Sequence, residues 1–432
     1  MLSSRPSWFT RVTSSILALT VLVSAAPILD LTSPATFLIP TPDVDPFYRP
    51  PSTFAKDAPG TIYRSRAALN PGFGRKGTQI LFRTSDAFGK PTTSVTTILQ
   101  TSNSSENYLV AYNMYEDASA PQCAPSYCFN TISQQGFCPD GDGQLVYFMT
   151  KGWIVIVTDF EGKTSSFSVG HQSGYQILDA YRAAIKFLKL SENVVLGGYG
   201  YSGGAIGTGW SAALQNDYAP ELNIKALAFG GTPSNMTSTF LQLNAGAFAM
   251  FVSIQGFAVS GLAGQVASYP ELYARFSQIA TDEGKAAVIT GQSQCGAADI
   301  VEFAFTDILS TDFQSLGSQL LSDPIVTKYL TMSTMGSVAS ETPTKPSILM
   351  FHSTTDEVIP YASALTTAQT WCSDGAKITF ITEVGGGGHV GTQLLYGPMT
   401  IDWLDNSLRG TSAPITSCSF ETQSMTALPV RM

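Results

Sequence analysis

Short apolar runs alternate along the chain with longer stretches whose apolar residues recur at helical spacing. Residues 194–196 read as a buried strand and 205–214 as a helix. Between them Asn193-Val-Val-Leu-Gly-Gly-Tyr-Gly-Tyr-Ser202-Gly-Gly-Ala-Ile-Gly enters a glycine-rich turn with one serine at its apex. Upstream, residues 79–83 and 92–100 flank Ser85-Asp-Ala-Phe-Gly-Lys and predict an antiparallel hairpin. A third strand is expected at 108–115, a short helix at 145–151 stopping at Gly152, and a buried strand at 153–158. Ile177, Leu178, Tyr181, Ala184, Ile185 and Leu188 give 175–190 a helical period, and 224–229 is the next strand.

Such alternation predicts an α/β fold, a mostly parallel sheet with helices on both faces. The pattern breaks at 232–343, where helical patches occur without a convincing core strand, so an inserted helical cap is expected there. The sheet resumes at 347–351 and 377–384, and a helix at 392–408 closes the chain. Pro40, Pro42, Pro46, Pro50 and Pro51 make the stretch up to Gly60 an extended segment wrapping the domain. The expected boundaries are 1–25 (signal peptide), 26–231 (core, first part), 232–343 (cap) and 344–432 (core, second part).

No charged residue lies between Lys225 and Glu271, and 245–264 is apolar enough to suggest a transmembrane helix. Gly246, Gly256, Gly261, Gly264, Ser253, Ser260 and Gln255 dilute it, and it falls between two halves of one sheet. A cap packed through small residues is the expectation, either a buried helical hairpin or an apolar lid or acyl tunnel above Ser202.

The chain has 432 residues, 44% hydrophobic and 13% charged, with net charge -9 and pI near 4.8. No basic stripe stands out, which argues against nucleic acid as a partner. Arg5 and Arg11, the apolar run 16–23 and then Ser24, Ala25 and Ala26 form a secretory signal cleaved after Ala25, too short to anchor in a bilayer. In an oxidising compartment Cys123, Cys128, Cys138, Cys295, Cys372 and Cys418 become disulfide partners, and spacing by itself favours only the local Cys128–Cys138 loop. Asn103-Ser-Ser and Asn235-Met-Thr are glycosylation acceptors.

A serine on a strand-turn-helix junction bracketed by Gly200 and Gly204 is the context of a nucleophile elbow, a turn too sharp for bulky neighbours. Gly198-x-Gly200-x-x-Gly203 also spells a dinucleotide-binding fingerprint, but the acidic residue at the right distance, Glu221, precedes the next strand instead of ending it. Glycines that merely pack a helix on a sheet are the remaining alternative. Ser202 needs a base oriented by a carboxylate. Of three histidines, His171 lies upstream ahead of a helix, His352 ends an apolar strand as a structural residue would, and His389 follows the Gly385–Gly388 loop. The order Ser, acid, His selects His389, with Asp356 in the loop after a strand as the acid and Glu357 as fallback. Asp356 could instead cap a helix starting near Pro360. The oxyanion donors are expected at Gly203 and in the loop Tyr115-Glu-Asp117-Ala, although no HGGG-type motif is present.

These residues resemble the fungal secretory lipase family from about Asp45-Pro-Phe-Tyr to Cys418. The likeness rests on Tyr115-Glu-Asp-Ala, Cys123-Ala-Pro-Ser-Tyr, Asp159-Phe-Glu-Gly, Gln176-Ile-Leu-Asp-Ala-Tyr-Arg, Gly200-Tyr-Ser-Gly-Gly-Ala, Tyr218-Ala-Pro-Glu-Leu-Asn-Ile, Gly230-Gly-Thr-Pro and Asp356-Glu-Val-Ile-Pro-Tyr. The resemblance implies a secreted triacylglycerol lipase with an α/β-hydrolase core and a helical cap, a Ser202–Asp356–His389 triad and an oxyanion hole of Asp117 and Gly203. It also implies disulfides Cys123–Cys295 and Cys372–Cys418, leaving Cys128 and Cys138 as an extra pair. Two departures stand out. The family's longer tail forms a flap near the site, whereas here 14 residues follow Cys418, and the glycine-rich histidine loop makes the placement of His389 less rigid.

The expected chemistry is ester hydrolysis through an acyl-enzyme, with no metal or organic cofactor. The expected partner is a lipid or ester substrate at an oil–water interface, with no nucleic acid, no stable membrane insertion and a monomeric chain, secreted outside the cell. The rivals are a carboxylesterase of soluble short-chain esters, a peptidase of the same fold, which lacks a charged cluster to clamp a peptide terminus, and a non-catalytic lipid-binding surface protein.

Overall fold

The computed structural model describes residues 39–72, 74–131, 143–246, 248–249 and 252–424. The signal segment and Cys138 lie outside the described residues. Strands β1 (Ile62–Ala67), β2 (Lys76–Ser85), β3 (Pro91–Gln100) and β4 (Ser105–Asn113) are followed by helices α1 (Pro125–Cys128) and α2 (Gly143–Met149) and strand β5 (Trp153–Thr158). Next come α3 (Gly170–Leu188), β6 (Val195–Tyr201), α4 (Gly203–Tyr218) and β7 (Ile224–Gly230). Helix α5 (Met236–Asn244), a hairpin of β8 (Phe248–Ala249) and β9 (Val252–Ser253), then α6 (Gln255–Ser268), α7 (Pro270–Ile279), α8 (Asp282–Gly291), α9 (Gly296–Glu302) and α10 (Pro324–Met332) separate β7 from β10 (Ser347–Ser353). The chain continues through α11 (Tyr361–Ser373), β11 (Lys377–Glu383), α12 (Gly388–Arg409) and β12 (Ser419–Gln423).

Ten strands form one sheet in the order β1-β2-β3-β5-β4-β6-β7-β10-β11-β12. β1, β2, β3 and β5 pair antiparallel, and every neighbour pair from β5 to β12 is parallel. The predicted hairpin is β2–β3, in the register Gln79 to Thr97. Along β4, Leu109 and Ala111 join one core cluster while Val110 and Tyr112 join the other. The same alternation separates Ile348 and Met350 from Leu349 and Phe351 in β10, so the sheet is buried on both faces. Ile177, Tyr181 and Trp210 of α3 and α4 pack on the first face. Leu145 and Phe148 of α2 and Ile401 and Leu404 of α12 pack on the second.

Several expected boundaries move. α3 begins at Gly170, so His171 lies within its first turn. α12 begins at Gly388 and includes His389. β1 and β12 are edge strands that the apolar pattern missed, because three of the six residues of β1 and three of the five of β12 are exposed. Within the described part of the proline-rich leader, Pro46–Tyr48 and Phe54–Lys56 form 3-10 turns.

The apolar stretch at 245–264 is not one helix. It contains the β8–β9 hairpin and the start of α6, and no helix among the described residues is long and apolar enough to cross a membrane. α6 packs through its small residues: an added Cβ would lie 2.4 Å from Asp299 O at Gly256 and 2.4 Å from Phe167 O at Gly264. Ser119 Oγ donates to Ser260 O at 2.7 Å, and Ser168 Oγ to Gly261 O at 3.1 Å, joining α6 to loops of the core. Met236, Phe240 and Val259 belong to the same apolar cluster as α3 and α4, so the inserted helices extend one face of the core instead of forming a separate one.

Cys123–Cys295 joins the segment after β4 to the start of α9, and Cys372–Cys418 joins the end of α11 to the start of β12. Asn103 is exposed in the turn after β3. Asn235 is half-buried and its Oδ1 accepts the Ser238 N–H at 3.0 Å, capping α5.

Candidate active site

Ser202 stands between the end of β6 and the start of α4 with φ 55° and ψ -125°, outside the basins open to most residues. Its N–H donates to Gly230 O at 3.0 Å, anchoring the turn to β7. Gly neighbours are required by space. A Cβ on Gly200 would lie 2.2 Å from Gly204 O, and one on Gly204 would lie 2.0 Å from Asn113 O. The chain therefore turns sharply enough to leave the Ser202 side chain half-exposed above the sheet.

Ser202 Oγ is 2.8 Å from His389 Nε2, and His389 Nδ1 is 2.7 Å from Asp356 Oδ2. An ionised carboxylate only accepts, so Nδ1 carries the hydrogen and Nε2 accepts from the Ser202 hydroxyl. Asp356 follows β10, and its Oδ1 accepts the N–H groups of Val358 at 2.9 Å and Ile359 at 2.7 Å. These bonds hold the loop ahead of α11 and do not cap it: the helix starts at Tyr361 with Pro360 at its N-cap and no side-chain cap bond, so the capping role considered for Asp356 is not the one it plays. Tyr201 Oη donates to His389 O at 2.7 Å, and Glu357 Oε2 accepts the His389 N–H at 2.9 Å. Glu357, the fallback acid, meets the backbone and not the ring.

Burial alone would raise the Asp356 carboxyl, but His389 and the bond from His352 hold it well below the ordinary carboxylate range. Burial lowers the His389 imidazole, and Asp356 more than offsets this, with Glu357 and Asp117 adding to the rise. The outcome is a histidine held more basic than usual beside a carboxylate that stays ionised.

Gly203 begins α4, so its N–H is one of the first-turn groups without an intrahelical acceptor, at the positive end of the helix. Asp117, after β4, has φ 49°, and its Oδ1 lies 2.0 Å from where a Gly203 Cβ would stand. The Asp117 side chain thus packs directly against Gly203 beside Ser202, in space that only a glycine leaves. Burial pushes the Asp117 carboxyl up to about 7, opposed by His389. Glu116 and Glu161, also buried, are raised well above the carboxylate range by burial and by neighbouring acids. Sequence reasoning missed these acids, although Glu116 and Glu161 both sit in the motifs Tyr115-Glu-Asp-Ala and Asp159-Phe-Glu-Gly.

A cleft runs from Ser202 and Gly203 between core and inserted helices, walled by Phe167, Ile206, Met236, Phe240, Leu243, Phe257, Val358 and Ile359. His171 does not join the site, since its Nε2 bonds to Glu341 Oε1 at 2.7 Å. His352 does join it, because its Nε2 lies 3.1 Å from Asp356 Oδ2. The expectation of a satisfied structural histidine at this strand end did not name this partner, for which the four-residue spacing to Asp356 was the available signal.

The family model for secretory lipases matches residues 141–415. The chain is 39% identical over 383 residues to the secreted triacylglycerol lipase LIP3 of Malassezia restricta, covering 86% of this chain and 80% of that protein. It is 36% identical over 378 residues to the secreted triacylglycerol lipase LIP2 of Malassezia globosa, covering 86% and 82%. Among solved structures, Candida antarctica lipase A in its closed state superposes with TM-score 0.79 at 26% identity, covering 88% of this chain and 90% of that one. Those matches, over a sheet and junction of this form, establish that the chain is a member of the secretory lipase family with the α/β-hydrolase fold.

Proposed function

We propose that this protein is a secreted lipase that hydrolyses triacylglycerol and related carboxylic esters through an acyl-enzyme on Ser202. The hydrogen-bonded series Ser202 Oγ to His389 Nε2, and His389 Nδ1 to Asp356, carries the reading. His389 takes the Ser202 proton as Oγ attacks the ester carbonyl. The N–H groups of Gly203 and Asp117 receive the developing oxyanion, a contribution worth about 3–4 kcal/mol per donor in comparable sites. His389 then protonates the leaving alcohol, and a water activated by the same imidazole releases the acid. Asp356 orients the imidazole and stabilises its charged form. The apolar cleft receives the acyl chain, and residues 232–343 act as a cap that controls what reaches Ser202.

The test is hydrolysis of esters of graded chain length, as solutions and as emulsions, by the wild type and Ser202→Ala. The variant should lose activity by about 10⁴-fold or more, and equal activity would sink the mechanism. A rate on long-chain esters that ignores the emulsion surface would instead identify an esterase of dissolved substrates.

A further inference from the structure

The glycine loop that carries His389 has no side chains of its own to anchor it, and Gly386 and Gly388 adopt φ 83° and 60°. Such a run is entropically costly to hold in one shape. The anchor comes from outside the loop. Glu383, the last residue of β11, is fully buried. Its Oε1 accepts the Gly385 N–H, and its Oε2 accepts the Gly387 N–H at 3.1 Å and the Ser353 hydroxyl at 2.7 Å.

Ser353 is the residue paired with Glu383 across the parallel β10–β11 ladder and stands three positions before Asp356. Glu383 O also accepts the Thr354 N–H at 2.9 Å. One buried residue therefore holds the segment leading to Asp356 and the segment leading to His389. A carboxylate taken from water costs several kcal/mol unless charge-assisted bonds replace its hydration, and these three donors do so.

We propose that Glu383 is a positioning residue: its carboxylate fixes the glycine loop so that His389 meets both Asp356 and Ser202. This rests on the reading of Ser202 as nucleophile. Hydrolysis depends steeply on this alignment, because misplacement by about 1 Å can cost on the order of 100-fold in rate.

Glu383→Gln tests it, since the amide keeps the shape but turns a donor toward a backbone N–H. With a soluble short-chain nitrophenyl ester, kcat should fall about 10- to 100-fold while KM stays within about 3-fold. In a His389→Ala background the same change should alter the residual rate by less than about 2-fold, a non-additivity that general destabilisation would not produce. If Glu383→Gln does not accumulate as folded protein, Ser353→Ala, which removes one donor and leaves the loop bonds, should lower kcat about 2- to 5-fold at unchanged KM. Wild-type kcat in whichever variant folds, or equal losses with and without His389, overturns the proposal. A Ser202→Ala variant as active as wild type would instead overturn the nucleophile reading, so the two failures are distinguishable.

Discussion

His352 Nε2 stands 3.1 Å from Asp356 Oδ2, the same oxygen that receives His389 Nδ1. His352 is fully buried, and its Nε2 also lies 3.1 Å from Ile359 O. Both neighbours are acceptors, so Nε2 carries the hydrogen. Asp356 thus accepts from two imidazoles and two backbone N–H groups, and it is the imidazoles, His389 foremost and then His352, that hold its carboxyl pKa down against burial.

Replacing His352 by Phe removes one donor from a buried carboxylate and should cost about 1–3 kcal/mol of stability at neutral pH. A depressed carboxyl pKa contributes stability that is present above the unfolded value, near 3.9, and lost as pH falls through the folded value. With one donor gone the folded value rises, so acid unfolding should begin at higher pH than in the wild type. Urea titrations across acidic pH measure both effects, and coincident curves would contradict them.

Asp356→Asn should lower kcat by about 10⁴-fold, because the amide would donate toward Nδ1 and favour the wrong imidazole tautomer. Glu357→Gln should cost less than about 10-fold, since Glu357 bonds the His389 N–H and reaches the ring through its charge alone. Steady-state kinetics on both variants separates the acid from its neighbour. A larger loss at Glu357 would reverse the assignment.

The sheet and elbow were legible because a strand buried on both faces reads as a nearly continuous apolar run, as Trp153-Ile-Val-Ile-Val157 does, and because Gly200 and Gly204 face backbone at distances no side chain tolerates. β12 was illegible for the opposite reason. Ser419–Gln423 lies at the sheet edge with Phe420 exposed, and pairing with β11 and the Cys372–Cys418 bond, not an apolar pattern, hold it. The order of Ser202, Asp356 and His389 was readable from chain topology. His352 offered only its four-residue spacing to Asp356, and the role of Glu383 was not readable at all, since it depends on which atoms two neighbouring strand ends bring together.

The disulfides Cys123–Cys295 and Cys372–Cys418 differ in the loop each closes, with sequence separations of 172 and 46. Chain entropy makes the longer closure worth about 1 kcal/mol more. Cys123→Ser/Cys295→Ser should therefore lower the denaturation midpoint more than Cys372→Ser/Cys418→Ser. The first pair should also lower activity, because it secures the segment following Asp117 against α9. Unfolding curves and kcat on the two double variants provide the comparison, and equal activity losses would count against that coupling.

The site's dependence on pH runs opposite to the stability that His389 contributes. Its folded pKa is raised, so that stability is fully present below the unfolded value near 6.5 and lost as pH rises through the folded value. Catalysis needs the neutral imidazole, so kcat/KM should rise over that same interval, with its midpoint above 6.5. Asp117, a carboxyl pushed up to about 7, is one of the groups that raise His389. Asp117→Asn preserves the backbone N–H, and asparagine accepts the positive φ that this position requires. It should move the acid limb to lower pH and make it a simpler, single-proton curve. A limb that stays in place or shifts upward would mean that the Asp117 charge is not felt at His389.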